Sequence, residues 1–157
     1  MIRRILILIM FLSTLVSCDP NRVYDTNKDI PDREWSYDNI VPFEFNIEDT
    51  DAKYNIYVNI RHSKSYKFSN IWLIIHTQIS DSVLQKRMEL PLSNLGGKWY
   101  GESMGDIVDH QLQIQENATF PKKGTYKISL EQNMRLDPLP DVLSVGLRVE
   151  LAVNIEQ

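Results

Sequence analysis

Along most of the chain the apolar positions recur every second residue. From 54 to 61 one face carries Tyr54, Ile56, Val58 and Ile60, and the other carries Asn55, Tyr57, Asn59 and Arg61. Successive side chains in extended backbone point to opposite faces, so this alternation predicts a half-buried strand. The same period predicts strands over 41–47, 83–90, 110–115, 124–132 and 143–155. The stretch 71–79 differs, because Trp72, Leu73, Ile74 and Ile75 run together; it predicts a central strand covered on both faces. No segment carries a helical stripe. Turn-forming clusters recur at Asp49-Thr50-Asp51, 63–65, Ser80-Asp81-Ser82, 94–97, Lys122-Lys123-Gly124 and 137–141. Short strands so spaced imply an all-β chain folded as a single antiparallel β-sandwich over 39–157, either immunoglobulin-like or jelly-roll.

The first residues follow another rule. Arg3 and Arg4 precede an apolar run from Ile5 to Val16, broken only by Ser13 and Thr14. A bilayer-spanning helix needs about 20 apolar residues, and this run meets Cys18, Asp19 and Pro20 before reaching that length. It therefore reads as a secretory signal peptide over 1–17. Its end, Leu15-Val16-Ser17-Cys18, resembles a bacterial lipobox, with cleavage expected between Ser17 and Cys18. A thiol is the side chain that takes the diacylglyceryl thioether, so Cys18 is the expected lipidation residue and the bilayer its first partner. Each acyl methylene that enters the membrane contributes about 0.8 kcal/mol, and two or three chains make a stable anchor.

Cys18 is also the sole cysteine. Acylation thus leaves the exported domain without a disulfide or a thiolate metal site, and its stability rests on packing. The mature chain, about 140 residues, is enough for one domain with a real core. Once Arg3 and Arg4 leave, 15 cationic side chains face 21 carboxylates, a net charge of about −6. That balance predicts no nucleic-acid footprint and no basic face toward anionic lipid. From Asp19 to about Asp38 the sequence is polar and interrupted by Pro20 and Pro31, so 18–38 reads as a lipid-anchored linker.

Candidate chemistry is thin. A hydrolase needs a nucleophile beside a base, and His62, His76 and His110 lie in or beside three different predicted strands with no G-x-S-x-G elbow. His76 reads as a core or face residue. No His pair at ligand spacing and no Asp-rich calcium loop appears, so neither a metal nor another cofactor is expected. Glycines cluster between Gly96 and Gly105, but the lysine-serine pair of a phosphate loop is absent. The cluster reads as a sharp connection with positive φ values, with Trp99 covering one end of the core. What remains is a possible partner surface of aromatics and arginines: Trp35, Tyr37, Trp99, Tyr100, Arg61 and Arg135. For Trp35 and Tyr37, packing onto the domain is the simpler reading; for the arginines, internal ion pairs are.

Several segments together resemble the gliding-motility lipoprotein H family (GldH) of Bacteroidota-type bacteria. They are 54–62 with Tyr66 and 69–73, Gly97-Lys98-Trp99-Tyr100-Gly101 through Gly105-Asp106-Ile107, Gly124-Thr125-Tyr126 through Met134-Arg135, and 145–150. The resemblance implies a non-catalytic lipoprotein of the cell-envelope gliding machinery, linked to surface adhesin secretion. It implies envelope gliding or secretion proteins as partners, and no cofactor or catalytic residue to carry across. A carbohydrate-binding β-sandwich, stacking sugars on Trp35, Tyr37, Trp99 or Tyr100, is the alternative. Without an acidic run of the kind associated with surface export, the anchor is expected on the periplasmic face of the outer membrane.

Overall fold

The computed structural model describes residues 19–79 and 82–153; the segment expected to be a signal peptide, with the expected cleavage and lipidation residues Ser17 and Cys18, lies outside the described residues. Period-2 alternation becomes two antiparallel sheets facing each other across one core. Val41–Ile47 (β3) buries Val41, Phe43, Phe45 and Ile47, and Tyr54–Ser63 (β4) buries Tyr54, Ile56, Val58 and Ile60, while the residues between point outward. The remaining long strands are Arg22–Asp29 (β1), Asn70–Ile79 (β5), Ser82–Pro91 (β6), Ile107–Ala118 (β8), Gly124–Gln132 (β9) and Val142–Leu151 (β11). Three short ones, Glu34–Trp35 (β2), Glu102–Met104 (β7) and Leu139–Pro140 (β10), complete the set. One sheet has the order β1-β11-β4-β8-β7, the other β3-β9-β5-β6, and β2 pairs with β10 as a small ribbon. The all-β sandwich expectation holds.

Two expectations are corrected. The segment read as a linker over 18–38 is folded from Arg22 onward. β1 pairs with β11 from Arg22 opposite Glu150 to Asp29 opposite Ser144, and Trp35 is 0% exposed. Even Asp19 is held, by an ion pair to Arg148. β1 escapes the sequence pattern because it is an edge strand: its outward side chains, Asp25 and Asn27, are polar, and the opposite face is only partly covered. The second correction concerns β5, which is central between β9 and β6 but covered on one face. Ile71, Leu73 and Ile75 are buried, whereas Trp72, Ile74 and His76 are only partly buried, on the outer face. Trp72 is shielded there by the Arg87 guanidinium, 3.9 Å from the ring centroid, and His76 by Glu131, at 2.7 Å.

The sandwich has two unlike ends. At one, Phe120 bridges the sheets, with ring centroids 5.4 Å from Tyr54 and 5.9 Å from Phe45. The chain enters at this end, where Leu151 N–H donates to the Asn21 carbonyl. At the other end residues 92–101 cross from β6 to β7. Tyr100 N–H donates to the Leu92 carbonyl on the way.

Candidate functional site

Strand register gathers polar side chains on the outer face of the five-stranded sheet. Asp25 lies opposite Arg148, Asn27 opposite Gly146, Gly146 opposite Asn59, Arg61 opposite Asp109, and Asp109 opposite Glu102. Gly146 is required at the centre of this face. A Cβ there would fall 1.9 Å from Asn27 Oδ1, so only glycine lets Asn27 lie across β11 toward β4. Asn59 Nδ2–H then reaches both Asn27 Oδ1 and Asp25 Oδ1, each at 3.2 Å.

Two arginines organise the charge. Arg61 makes a two-pronged pair with Asp109, Nε to Oδ1 at 2.6 Å and Nη2 to Oδ2 at 3.2 Å. Both partners are well exposed, so the pair positions the groups and adds little stability. Arg148 is more enclosed and donates to Asp25 at 3.0 Å, to Glu150 at 2.8 Å and to Asp19. Burial works against its charge, but the carboxylates of Glu150, Asp19 and Asp25 outweigh it and hold its pKa above the usual guanidinium value. Asp19 answers with a lowered pKa, chiefly through its hydrogen bond from Arg148. Between these pairs lies a concavity of about 450 Å³ lined by Asp25, Asn27, Asn59, Arg61, Tyr100 and Glu102 among others. Asn59 Oδ1 is buried without a hydrogen-bond partner in the wall of this site. Its lining offers donors, acceptors and charge, suited to recognition.

Behind the same region, inside the sandwich, His62 and His110 form a buried pair. They occupy inward positions that continue the apolar faces of β4 and β8, and they are 0% and 4% exposed. His62 Nδ1 lies 2.7 Å from the Ser63 carbonyl, which only accepts, so Nδ1 carries the proton. His62 Nε2 then accepts from His110 Nε2–H across 3.0 Å, and His110 Nδ1 is left as a buried lone pair without a partner. Trp99 packs edge-on to His62 at 4.6 Å and Tyr66 lies 4.9 Å away. Gly101 ends the 92–101 crossover against the pair, where a Cβ would sit 2.2 Å from the Asp109 carbonyl oxygen and 2.8 Å from His110 Nδ1. Burial lowers both imidazole pKa values; for His110, with His62 adding to the effect, to about 4. The Ser63 hydroxyl donates to Asp141 at 2.7 Å rather than to an imidazole, so the arrangement is a packed neutral pair and not a nucleophile with its base.

The expected partner residues separate. Arg61 and Tyr100 meet in the polar concavity, Tyr100 with 63% of its surface exposed. Trp99 is half buried against His62. Trp35 leaves the list: it is core, and its indole N–H donates to the Asn39 carbonyl at 2.8 Å. Tyr37 is half buried with its hydroxyl donated to the Met134 carbonyl, and Arg135 is exposed on the loop that follows β9. Among the described residues no group of three or more His, Asp and Glu side chains is placed to hold a metal ion. Sequence reasoning missed the concavity because two of its walls, Asp25 and Asn27, fall in the supposed linker. The histidine pair did leave a signal: His62 follows Tyr54, Ile56, Val58 and Ile60 in the same period.

The GldH lipoprotein family model matches residues 22–149 of the chain. The protein of Christiangramia forsetii named gliding motility lipoprotein GldH homolog is 32% identical, over 92% of this chain and 95% of its own. The gliding motility lipoprotein GldH of Flavobacterium johnsoniae is 30% identical, over 92% of this chain and 94% of its own. No solved structure matches. The matched span runs from the first residue of β1 nearly to the end of β11, so the likeness covers both sheets together, and this chain belongs to the GldH lipoprotein family.

Proposed function

We propose that the protein is a non-catalytic, lipid-anchored component of the cell-envelope gliding machinery, linked to surface adhesin secretion. The observation that supports this reading is end-to-end similarity to two proteins named as gliding motility lipoproteins; the adhesin-secretion link is carried by the proposal alone. The anchor is Cys18, acylated after cleavage behind Ser17, and it sits on the periplasmic face of the outer membrane. Because Asp19 is tied to Arg148 and β1 starts at Arg22, no more than three residues, Asp19 to Asn21, separate the lipidated Cys18 from the first strand. The sandwich therefore rides close to the bilayer. Its partner, an envelope gliding or secretion protein, docks on the polar face around Arg61, Asp109 and Tyr100, where exposed charge sets register and on-rate.

The carbohydrate alternative weakens on two observations: Trp35 is core, and Trp99 is turned onto His62. The test is capture of envelope proteins from cross-linked cells carrying the tagged protein. Wild-type protein recovers a specific envelope partner and Arg61→Glu loses it; equal recovery by both removes the polar face from the account.

A further inference from the structure

Among the described residues the two sheets are not joined along one side. β7 covers β8 only from Ile107 to Asp109, so the rest of β8 is a free edge, and β6 is the free edge of the other sheet. The 92–101 crossover closes this side at the histidine end. Toward the opposite end the sheets part over a pocket of about 520 Å³, within the range of about 300–1,000 Å³ usual for small-ligand sites. Its walls include Ile56, Ile75, Ile114, Phe120, Tyr126 and Ile128. Beside it, Leu84 lies opposite Thr77 on the inward face of β6 yet stays 59% exposed. Lys86, Lys122 and Lys123 also line the pocket, and no carboxylate does among the described residues.

Its position gives the pocket meaning. It lies beside Phe120 and Ala118, at the end where Ala118 pairs with Tyr54, Tyr54 with Leu151, and where the chain leaves through Asn21 and Asp19 toward Cys18. An apolar slot rimmed by lysines therefore opens at the end of the domain nearest its own lipid anchor. Glu48, Asp49 and Asp51 also lie at this end, in the turn between β3 and β4. The surface as a whole is thus no basic plane for adsorption; the positive charge belongs to the slot.

We infer that the pocket takes one acyl chain of an anionic membrane lipid, the chain entering between the sheets while Lys86, Lys122 and Lys123 meet the head group. The inference rests on the reading that Cys18 holds the domain at a bilayer. Charge complementarity selects this occupant over the protein's own Cys18-linked chains, which carry no anionic head at that site, and over an apolar partner segment.

The test places the mature acylated protein in phosphatidylcholine vesicles containing a photoactivatable phosphatidylglycerol or phosphatidylcholine with a diazirine on its acyl chain. Vesicles are floated first, so that flotation reports on the anchor and labelling of the floated protein reports on the pocket. Mass mapping should find adducts on the pocket walls, about tenfold more from the anionic probe than from the zwitterionic one. Lys122→Glu with Lys123→Glu should erase that preference, and Ala118→Phe, which fills the slot from a half-buried position, should remove the adducts while flotation persists. Adducts confined to residues beside Cys18 overturn the inference, as does equal labelling by the two probes. Unlabelled walls, the result expected if the protein's own acyl chain or a partner segment fills the slot, overturn it as well.

Discussion

Lowering the pH below 7 should weaken the fold through the His62–His110 pair. In the unfolded chain both imidazoles take up a proton near the ordinary value of about 6.5. In the folded chain burial resists this, and the His110 pKa falls to about 4. A lowered histidine pKa means that the unfolded state binds more protons, so stability is full above pH 6.5 and is lost as pH falls toward 4. At about 1.4 kcal/mol per unit, His110 alone should cost about 2–3 kcal/mol by pH 4.5, with His62 acting in the same direction. That is a large part of the roughly 5–15 kcal/mol that holds a domain together. Urea titrations of the protein at a series of pH values measure it, through a falling midpoint with an unchanged slope. His110→Phe removes the titrating group while keeping an apolar-sized ring. The variant should be weaker at pH 7.5, since His62 Nε2 loses its donor, yet should lose distinctly less on acidification. Stability that is flat from pH 7 to 4.5, or a His110→Phe variant with the full wild-type slope, would refute the reasoning.

Other substitutions separate structure from recognition. Trp35→Ala should cost about 3–5 kcal/mol in denaturant unfolding, because it empties a fully buried site beneath the β2–β10 ribbon. A loss under about 1 kcal/mol would return Trp35 to the surface. Arg148→Ala strips the shared partner from Asp19, Asp25 and Glu150 and should cost about 1–3 kcal/mol. Its effect should appear first as faster hydrogen exchange in 22–29, and unchanged exchange there would contradict the clamp. Gly146→Val should likewise loosen β1 by displacing Asn27; retained protection across 22–29 would show that the close approach is dispensable. Arg61→Ala, by contrast, should leave stability within about 0.5 kcal/mol, since its pair with Asp109 is solvent-exposed, while weakening partner capture.

The parts of the fold that alternate strictly were readable in advance. Over 41–47 and 124–132 the expected and observed strands coincide, since their buried residues, such as Phe43 and Leu130, face the core at every second position. β1 was not readable, because its partner β11 lies more than a hundred residues away and its polar outer face mimics a linker. In β5 the apolar run suggested two buried faces, but Trp72 and Ile74 rest on one that is only half covered. The polar site was legible in fragments: Arg61 and Tyr100 are recognisable as outward residues, but only strand register brings them beside Asn27 and Asp25. Pockets between sheet edges are harder still, since no local pattern reports that β8 and β6 lack a bridge.

The proposed anchor is tested most directly by colony spreading of a host strain that lacks the gene and is complemented with either wild-type protein or Cys18→Ser, at matched expression. Wild-type protein should restore spreading. Cys18→Ser should accumulate as uncleaved precursor with a folded sandwich and should fail to restore it. Full spreading with Cys18→Ser, or normal spreading of the deletion strain itself, would contradict an anchored component of the gliding machinery.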